Sequence, residues 1–299
     1  MRLIWTILFM FVPIMGVGLF AMSKLARGGW LPDNITESGV EIDWLFNVIL
    51  WITGIIFVVT EVLLVWAMWR SRGNEAGKAK YTHGNQWLEI GWTFGTAAIL
   101  LYLAFTQMPI WGKAKYYHNR PAGKTPDVMV EASQFLWQIR YPGWDQTTNK
   151  PSVINTLTPN LSQTFELINE LHVYAGEPFL VHVKSRDVLH CFWVPALRVK
   201  QDTVPGNIIP VWFKIDPAKL GDQAAHRRIA TKANPLRYGS ESFDELYEYE
   251  WVCAELCGWG HFRMRARMIV HPNRADFERW LKVAASQHMA TNTDATAAR

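Results

Sequence analysis

The stretch Cys253-Ala-Glu-Leu-Cys257-Gly-Trp-Gly-His261-Phe-Arg-Met264 carries side chains that bind soft metal ions. Thiolate, imidazole and thioether donors favour copper, zinc or iron–sulfur over magnesium or calcium. A cysteine, a histidine four residues on and a methionine three further are typical of a loop that holds one copper ion, once another histidine arrives from elsewhere. Here a second thiolate, Cys253, precedes Cys257 by four residues. Because two thiolates on one short loop can each bridge two metal ions, the loop predicts a paired-metal site.

Two other interpretations of this loop stay open at the sequence level. A structural zinc site is the first, although such a site prefers paired C-x-x-C or H-x-x-x-H ligands and does not use a thioether. A disulfide between Cys253 and Cys257 is the second, since disulfides form outside the cytosol. We interpret the disulfide as the fate of the metal-free site.

The missing histidine is His190, in the stretch Asp187-Val-Leu-His190-Cys-Phe-Trp-Val-Pro195, which is followed by Lys200-Gln-Asp-Thr-Val-Pro-Gly206. Together with the cysteine loop, these stretches resemble subunit II of the haem–copper cytochrome c oxidases at its binuclear copper site, CuA. The resemblance covers nearly the whole chain. It implies that Cys253 and Cys257 bridge two copper ions. One copper would be completed by His190 and Met264. The other would be completed by His261 and the backbone carbonyl of Glu255.

The resemblance gives Glu255 a second role, in which its side chain binds a magnesium or manganese ion at the border with subunit I. A carboxylate oxygen suits such a hard ion. The alternative is a buried acid paired with an arginine from the run 263–267. Cys191 follows the predicted ligand His190, and neighbours on an extended segment point to opposite faces. We therefore predict that Cys191 is a small buried side chain and not a third sulfur ligand.

Composition separates the chain into a membrane part and a water-exposed part. Apolar residues make up 49% of the 299 residues and charged residues 19%, and the apolar residues are concentrated before residue 112. Three cysteines are too few for a disulfide framework. No basic run with interleaved aromatic residues occurs, which excludes nucleic-acid binding as a class. No Cys-x-x-Cys-His follows the copper loop, so no c-type haem is predicted on this chain.

The predicted segments follow from apolar length and loop charge. They are a signal peptide or first transmembrane helix at 1–23, a periplasmic loop at 24–43, a transmembrane helix at 44–69, a cytoplasmic loop at 70–85, a transmembrane helix at 86–111, a periplasmic copper domain at 112–289 and a disordered tail at 290–299. Basic residues in the short loop 70–85 mark the cytoplasmic side. The copper domain is therefore expected on the periplasmic side of the inner (plasma) membrane. Glu61 lies inside the second predicted helix. We expect its side chain to face a neighbouring helix rather than to carry protons.

Beyond residue 112 the apolar pattern changes to period two. Val128, Val130 and Ala132 alternate with other residues, and the same alternation recurs at 179–183 and 264–270. Short alternating strands with Gly and Pro punctuation predict an antiparallel sandwich. The predicted fold class is membrane-anchored all-β, with N-terminal transmembrane helices followed by a cupredoxin-like Greek-key β-sandwich. A helix over about 274–287, capped by Asn273, closes the domain.

The start of the last membrane helix, Gln86-Trp-Leu-Glu89-Ile-Gly-Trp-Thr93, resembles the E-x-x-W-T signature of the same family. The resemblance implies that Glu89 lies at the mouth of a proton-uptake channel shared with subunit I. A solvated acid stabilised by the helix dipole is the alternative. Thr96 stands where the family has proline, which affects a helix bend and leaves the interpretation of Glu89 unchanged.

The family also carries a W-x-W pair, whose first member lies nearest the docked cytochrome c. Here the pair is Phe135-Leu-Trp137. Because only Trp137 is retained as tryptophan, we predict that Trp137 carries the contact with the electron donor and that Phe135 extends it. A cluster of acids is a candidate docking patch or a solvated face. Its members are Glu241, Asp244, Glu245, Glu248 and Glu250.

The resemblance implies the electron-accepting subunit of a proton-translocating terminal oxidase. Its expected cofactors are two copper ions, with magnesium or manganese shared with subunit I. Its expected partners are subunits I and III, a soluble or membrane-bound c-type cytochrome and the lipid bilayer, with oxygen reduced to water in subunit I. One alternative is the copper subunit of a membrane nitric oxide reductase, with Glu89 as the main discriminator. Another is a membrane-tethered copper carrier, which would need exposed ligands. A quinol-oxidising relative has no use for two cysteines in this loop.

Overall fold

The computed structural model describes residues 2–27, 31–70, 81, 83–116, 119–155, 163–220, 227–228 and 246–297. The chain forms two compact units. The first consists of Met1–Pro32 and Glu41–Ile110, and the second of Asp33–Val40 and Trp111–Arg299.

The first unit is helical and contains α1 (Arg2–Arg27), most of α2 (Ser38–Arg70) and most of α3 (Gln86–Lys115). Of the described helices, α2 and α3 are long and apolar enough to cross a membrane. At 1.5 Å per residue they measure roughly 50 and 45 Å, more than the ~30 Å hydrocarbon core. The two predicted membrane helices are therefore confirmed as long apolar helices. In α1 the apolar part is Ile7–Ser23, and its role as signal peptide or retained helix stays a prediction.

Glu61 is half-buried on α2 and lines an apolar groove between α1 and α2. Asn47 and Thr53 of the same helix also line this groove. Acidic side chains in membrane-spanning helices almost always face protein or water, because lipid contact is costly. The placement of Glu61 agrees with the predicted helix–helix contact.

The described part of the second unit is built from short strands and a C-terminal helix. The strands are β1 (Val128–Ser133), β2 (Leu136–Pro142), β3 (Trp144–Asp145), β4 (Lys150–Pro151), β5 (Thr164–Ile168), β6 (Glu170–Tyr174), β7 (Pro178–Ser185), β8 (His190–Val194), β9 (Val199–Thr203), β10 (Ile209–Lys214), β11 (Arg227–Arg228), β12 (Tyr247–Cys253) and β13 (Arg265–His271). The helix, α4, spans Arg274–Ala297.

Most of these strands pair in two sheets, which confirms the predicted β-sandwich. One sheet has the order β10-β7-β1-β2-β5, and the other the order β6-β13-β12-β8-β9 with β11 beside β12. The strands β3 and β4 form a separate hairpin. Neighbouring strands are antiparallel except for β1 with β7 and β6 with β13, which are parallel. The prediction of a wholly antiparallel sandwich is wrong for these two pairs, because alternation reports which face a side chain occupies and not the direction of the neighbouring strand.

Alternating side chains of each strand fill the space between the sheets. In β2 the inward residues Trp137, Ile139 and Tyr141 are fully buried, and burying a large apolar side chain contributes about 1.5–3 kcal/mol. In β12 the buried positions alternate in the same way from Tyr247 to Cys253. The strand register therefore directs the Cys253 thiol into the domain.

The helix α4 covers one part of this core with residues spaced three and four apart, as an amphipathic helix requires. Its buried residues are Phe277, Trp280, Leu281, Ala284 and Ala285. Asn273 caps the helix as predicted, since its Oδ1 accepts a 2.9 Å hydrogen bond from the Asp276 N–H. The helix continues to Ala297, whereas the sequence predicts a disordered tail at 290–299. The alanines in this run favour helix, and residues 298–299 lie outside the described residues.

Candidate metal centre

Two paired strands of the second sheet bring sequence-distant donors together. The strand β8 begins at His190, β12 ends at Cys253, and the two pair antiparallel with Cys253 opposite Phe192. The loop after β12 closes where the Met264 carbonyl oxygen accepts a 3.0 Å hydrogen bond from the Cys253 N–H. The cysteine loop is thereby held beside the start of β8.

The side-chain donors of the site cluster around the two thiols. The Cys253 Sγ lies 3.9 Å from His190 Nδ1 and 3.9 Å from Cys257 Sγ. The Cys257 Sγ lies 3.6 Å from His261 Nδ1 and 3.8 Å from Met264 Sδ. The structure therefore brings together all five side chains that the sequence analysis named as copper ligands.

Glu255 contributes to the same cluster through its backbone. Its carbonyl oxygen lies 3.2 Å from Cys253 Sγ, which is the position that the resemblance assigned to a backbone ligand. The Glu255 side chain is half-buried. Carbonyl and carboxylate of this one residue are thus both available as oxygen donors.

The spacing of the thiols fits metal ions better than a disulfide. The sulfurs are 3.9 Å apart, nearly twice the length of an S–S bond, about 2.05 Å, and both cysteines are free. A thiolate–metal bond is about 2.3 Å long. A 3.9 Å separation therefore leaves a position on each side of the S–S line within bonding distance of both sulfurs. The donor set of sulfurs and imidazoles matches soft ions such as copper.

Burial of the ligands separates this site from that of an exchangeable carrier. His190, Cys253, Cys257 and Met264 are at most 6% exposed, and His261 is half-buried. Their thiols, imidazole and thioether lie within the apolar core or at its edge. A carrier that hands metal to another protein needs accessible ligands, whereas four of these five side chains are buried.

The two thiols and His190 influence one another electrostatically. Burial alone would raise the pKa of Cys253, but hydrogen bonding to His190 holds that pKa below its ordinary value. Burial, and then the negative charge on Cys253, raise the pKa of Cys257. Metal binding requires both thiols to be deprotonated, so binding releases protons.

Asp187 and Gln134 hold the ligands in place, and sequence reasoning assigned no role to either. The Asp187 Oδ1 lies 2.8 Å from His190 Nε2, which leaves Nδ1 facing the thiols. The other carboxylate oxygen of Asp187 accepts a 2.7 Å hydrogen bond from the Gln134 N–H. The Gln134 Nε2 donates a 2.6 Å hydrogen bond to the Cys257 carbonyl. A carboxylate three residues before a ligand histidine was the available signal for Asp187, since ligand histidines are commonly oriented by carboxylates.

Cys191 lies outside the donor cluster, as predicted. It is fully buried and pairs with Asp202 across β8 and β9. Burial, followed by the interaction with Asp202, raises the pKa of the Cys191 thiol to about 12. Among the described His, Cys, Asp and Glu residues, the group placed to hold a metal is His190, Cys253 and Cys257.

The aromatic pair near the site differs from the sequence prediction. Trp137 is fully buried, with its ring centroid 4.6 Å from that of Trp251 and 6.2 Å from that of His190. Trp137 therefore cannot contact a protein donor directly, and the prediction that it carries this contact is wrong. Phe135 precedes β2, is half-buried, and packs edge-to-face on Trp259 of the cysteine loop. Sequence reasoning assigned no role to Trp259.

Glu89 lies in the first turn of α3, in the unit that does not hold the metal site. It is exposed, and its N–H donates a 2.9 Å hydrogen bond to the Asn85 carbonyl. The Asn85 side chain caps the helix by accepting from the N–H groups of Trp87 and Leu88. This placement suits a channel mouth and a solvated acid equally, so the role of Glu89 stays a prediction.

Comparison with known proteins finds matches along most of the chain. The family model for the cytochrome C oxidase subunit II transmembrane domain matches residues 26–110, and that for the periplasmic domain matches residues 127–221. The alternative cytochrome c oxidase subunit 2 of Bradyrhizobium diazoefficiens is 30% identical over 284 residues, covering 90% of this chain and 88% of the relative. The cytochrome c oxidase subunit 2 of Thermostichus vulcanus is 25% identical over 303 residues, covering 84% and 77%. The solved periplasmic domain of subunit II of cytochrome oxidase from Bradyrhizobium japonicum is 21% identical, with 56% of this chain and 98% of that chain covered and a TM-score of 0.34.

Proposed function

We propose, from the premise that this chain belongs to the cytochrome c oxidase subunit II family, that it holds a binuclear copper centre and transfers electrons from a c-type cytochrome to subunit I. The observation that carries the proposal is the gathering of two imidazoles, a thioether and a backbone carbonyl around two buried thiols 3.9 Å apart. Copper bound there would supply a one-electron centre whose charge is spread over two ions.

The protein's own contribution to this transfer is a site whose geometry changes little. Each cysteine is held by a strand end or by the closed loop, and Asp187 fixes the ring orientation of His190. The surrounding sandwich core excludes water from the thiols. Buried donors on a packed sheet reorganise little when the charge at the site changes, which suits rapid electron transfer.

Electron input is proposed to pass through Phe135 in place of Trp137. The Phe135 ring lies against the backbone of the cysteine loop, since a Cβ on Gly260 would fall 2.5 Å from it and one on Gly258 would fall 3.2 Å from it. Trp137 lies beneath, against the His190 ring. We assign Trp137 to the packing that supports His190.

Two further roles complete the proposal on the side of subunit I. The Glu255 carboxylate would bind magnesium or manganese at the subunit border, and Glu89 would take up protons from the cytoplasm. The copper domain would then lie on the periplasmic side of the inner membrane, with subunit III as a further partner. The burial of the ligands weighs against the copper-carrier alternative.

A pair of matched cysteine variants tests the function in the assembled oxidase. Cys257→Ser should remove copper from subunit II and abolish oxygen consumption driven by reduced cytochrome c. Cys191→Ser, the same substitution at a buried thiol outside the cluster, should retain copper and activity. Direct chemical reduction of the haems in subunit I should proceed in both variants. Full cytochrome-driven activity in Cys257→Ser would refute the proposed function.

A further inference from the structure

The apolar stretch 44–69 of α2 carries a single ionisable side chain, that of Glu61. Glu61 lies nine residues before the helix ends at Arg70, about 13 Å along the helix axis. Among the residues that the structure describes, none forms a hydrogen bond or an ion pair with the Glu61 carboxylate. A carboxylate at this depth is costly in lipid and marks a place where the helix faces a partner or water.

The groove that Glu61 lines has room for one more helix. It is bordered by α1 from Trp5 to Ala21 and by α2 from Asn47 to Glu61, and its volume is about 1550 Å³. These two borders measure roughly 24 and 21 Å. Dividing the volume by this length gives a cross-section of roughly 70 Å², that of a rod about 9–10 Å wide and close to the width of an α-helix.

Two glycines, one on each border, face the open space. A Cβ added at Gly16 of α1 or at Gly54 of α2 would meet no atom within 4 Å, and both residues line the groove. Small residues on membrane helices let a neighbouring helix approach closely. Both borders therefore offer a surface on which a third helix can pack.

The polar atoms that this groove offers are hydrogen-bond acceptors. Pro13 lies inside α1 and lines the groove with Phe9. Because proline has no N–H, the Phe9 carbonyl does not receive the usual helical hydrogen bond from position 13, which is costly in hydrocarbon. The Asn47 Nδ2 donates a 2.7 Å hydrogen bond to the Asp43 carbonyl, and its Oδ1 remains an acceptor. With the Glu61 carboxylate, the groove calls for a donor.

The donor that suits a carboxylate away from water is a cation, because the opposite charge offsets the cost of burial. Arginine and lysine also carry several N–H donors and no acceptor. The apolar stretches of this chain, 3–22, 44–69 and 86–111, contain no Lys, Arg or His. A membrane-spanning helix from a second copy of this chain therefore has no cation to offer, and a different protein must supply it.

We propose that the groove between α1 and α2 is filled by a transmembrane helix of another subunit, and that this helix carries an arginine or lysine that pairs with Glu61. The apolar lining and the glycines determine how closely the helix packs, and the ion pair determines which helix is accepted. This inference goes beyond the proposed function, because it requires neither copper nor electron transfer.

Photocrosslinking of the complex in its native membrane identifies what fills the groove. With p-benzoylphenylalanine in place of Gly54, we expect a crosslink to a different protein, within an apolar segment that contains an arginine or lysine. The same amino acid in place of Ile56, an exposed residue of α2 outside the groove, should not give this product. Crosslinks only to lipid, to a second copy of this chain or to a segment without a basic residue would overturn the proposal.

Variants of Glu61 test the ion pair. Glu61→Leu should reduce the partner recovered with each purified chain tenfold or more, because it leaves a buried cation unpaired. Glu61→Gln keeps the shape and loses the charge, and should also weaken recovery. Glu41→Leu, the same substitution in the first turn of α2, should retain the partner.

A double substitution completes the test. Leucine at both Glu61 and the cation identified in the partner should restore the association, since an apolar pair can replace a buried ion pair. Unchanged recovery with Glu61→Leu and Glu61→Gln, or no restoration by the double substitution, would overturn the proposed pair.

The copper spectrum keeps this inference separate from the proposed function. In Glu61→Gln the spectrum should match that of the wild type while the partner is lost. Failure of the wild-type chain to form a copper centre would defeat the proposed function and leave the result at the groove standing. A normal copper centre with the partner fully retained in both Glu61 variants would defeat only this inference.

Discussion

The Asp187 carboxylate determines which ring nitrogen of His190 faces the metal site. Asp187 engages His190 Nε2 at 2.8 Å, so Nδ1 is the nitrogen that faces the Cys253 thiol. The other oxygen of this carboxylate accepts a hydrogen bond from the Gln134 N–H and so holds the turn before β2. Orientation of a ligand histidine by a carboxylate fixes the ring and raises its basicity.

We expect Asp187→Asn to lower copper affinity about 10- to 100-fold, the usual cost of removing a partner of a ligand histidine. The amide has nearly the same shape but loses the charge that favours the metal-bound imidazole. Competition with a chelator of known affinity measures the change. Asp145→Asn, the same substitution in the separate β3–β4 hairpin, should behave as the wild type. Equal affinities for wild type and Asp187→Asn would contradict the role of Asp187.

The ligands could be predicted from the sequence because residue type and spacing carry the chemistry, whereas their supports depend on the fold. Gln134 reaches the Cys257 carbonyl only because two sheets meet there. The prediction that Trp137 contacts the electron donor was wrong because of its place in the strand. Trp137 shares the inward-facing positions of β2 with Ile139 and Tyr141, and that pattern places it in the core. The W-x-W resemblance favoured an exposed Trp137, whereas Phe135 precedes the strand and lies outside its alternating pattern.

At the scale of elements, a buried histidine pair joins β6 and β13 beneath α4. The His172 Nδ1 lies 2.9 Å from His271 Nε2, and His172 Nε2 lies 3.1 Å from Glu170 Oε1. The Trp280 ring of α4 stacks on His172 with centroids 3.7 Å apart. Both histidines are fully buried, and strand alternation could not foresee their meeting because it does not reveal the parallel pairing of β6 and β13.

Burial lowers the pKa of both histidines well below the ordinary value of 6.5, and the positive charge of Arg267 adds to this effect at His172. The unfolded chain therefore binds protons below pH 6.5 that the folded domain does not. Stability is fully present above that pH and falls as the pH drops, by up to about 1.4 kcal/mol per pH unit for each histidine.

Urea unfolding of the full chain at pH 7 and pH 5, followed by tryptophan fluorescence, measures this dependence. The double variant His172→Gln/His271→Gln should be less stable at pH 7 but should lose less stability on acidification. His83→Gln, at an exposed histidine before α3, should retain the wild-type slope. An undiminished slope in the double variant would exclude the buried pair as its source.

At the scale of the whole molecule, two long apolar helices anchor a β-sandwich that carries the metal site. Apolar length made the helices predictable, since a span of membrane requires about 20 such residues. Glu89 in the first turn of α3 is the residue through which the anchor would take part in turnover.

We expect Glu89→Ala to slow oxygen consumption by the assembled oxidase while the copper spectrum stays that of the wild type, because proton supply and electron input lie in different units. Glu177→Gln, an exposed acid of the sandwich, serves as the control. The measurement is the rate of oxygen consumption across a range of pH. An unchanged pH profile for Glu89→Ala would show that Glu89 is a solvated acid at the start of the helix and does not take up protons for turnover.

The central claim is that one chain holds two copper ions between two thiolates. Electron paramagnetic resonance of the copper-loaded full chain tests it most directly. We predict a spectrum in which one unpaired electron is shared by two equivalent copper nuclei, and its loss in Cys253→Ser, which should retain at most one copper. A four-line spectrum from a single copper in the wild-type chain, or a preparation that contains only zinc, would contradict the claim.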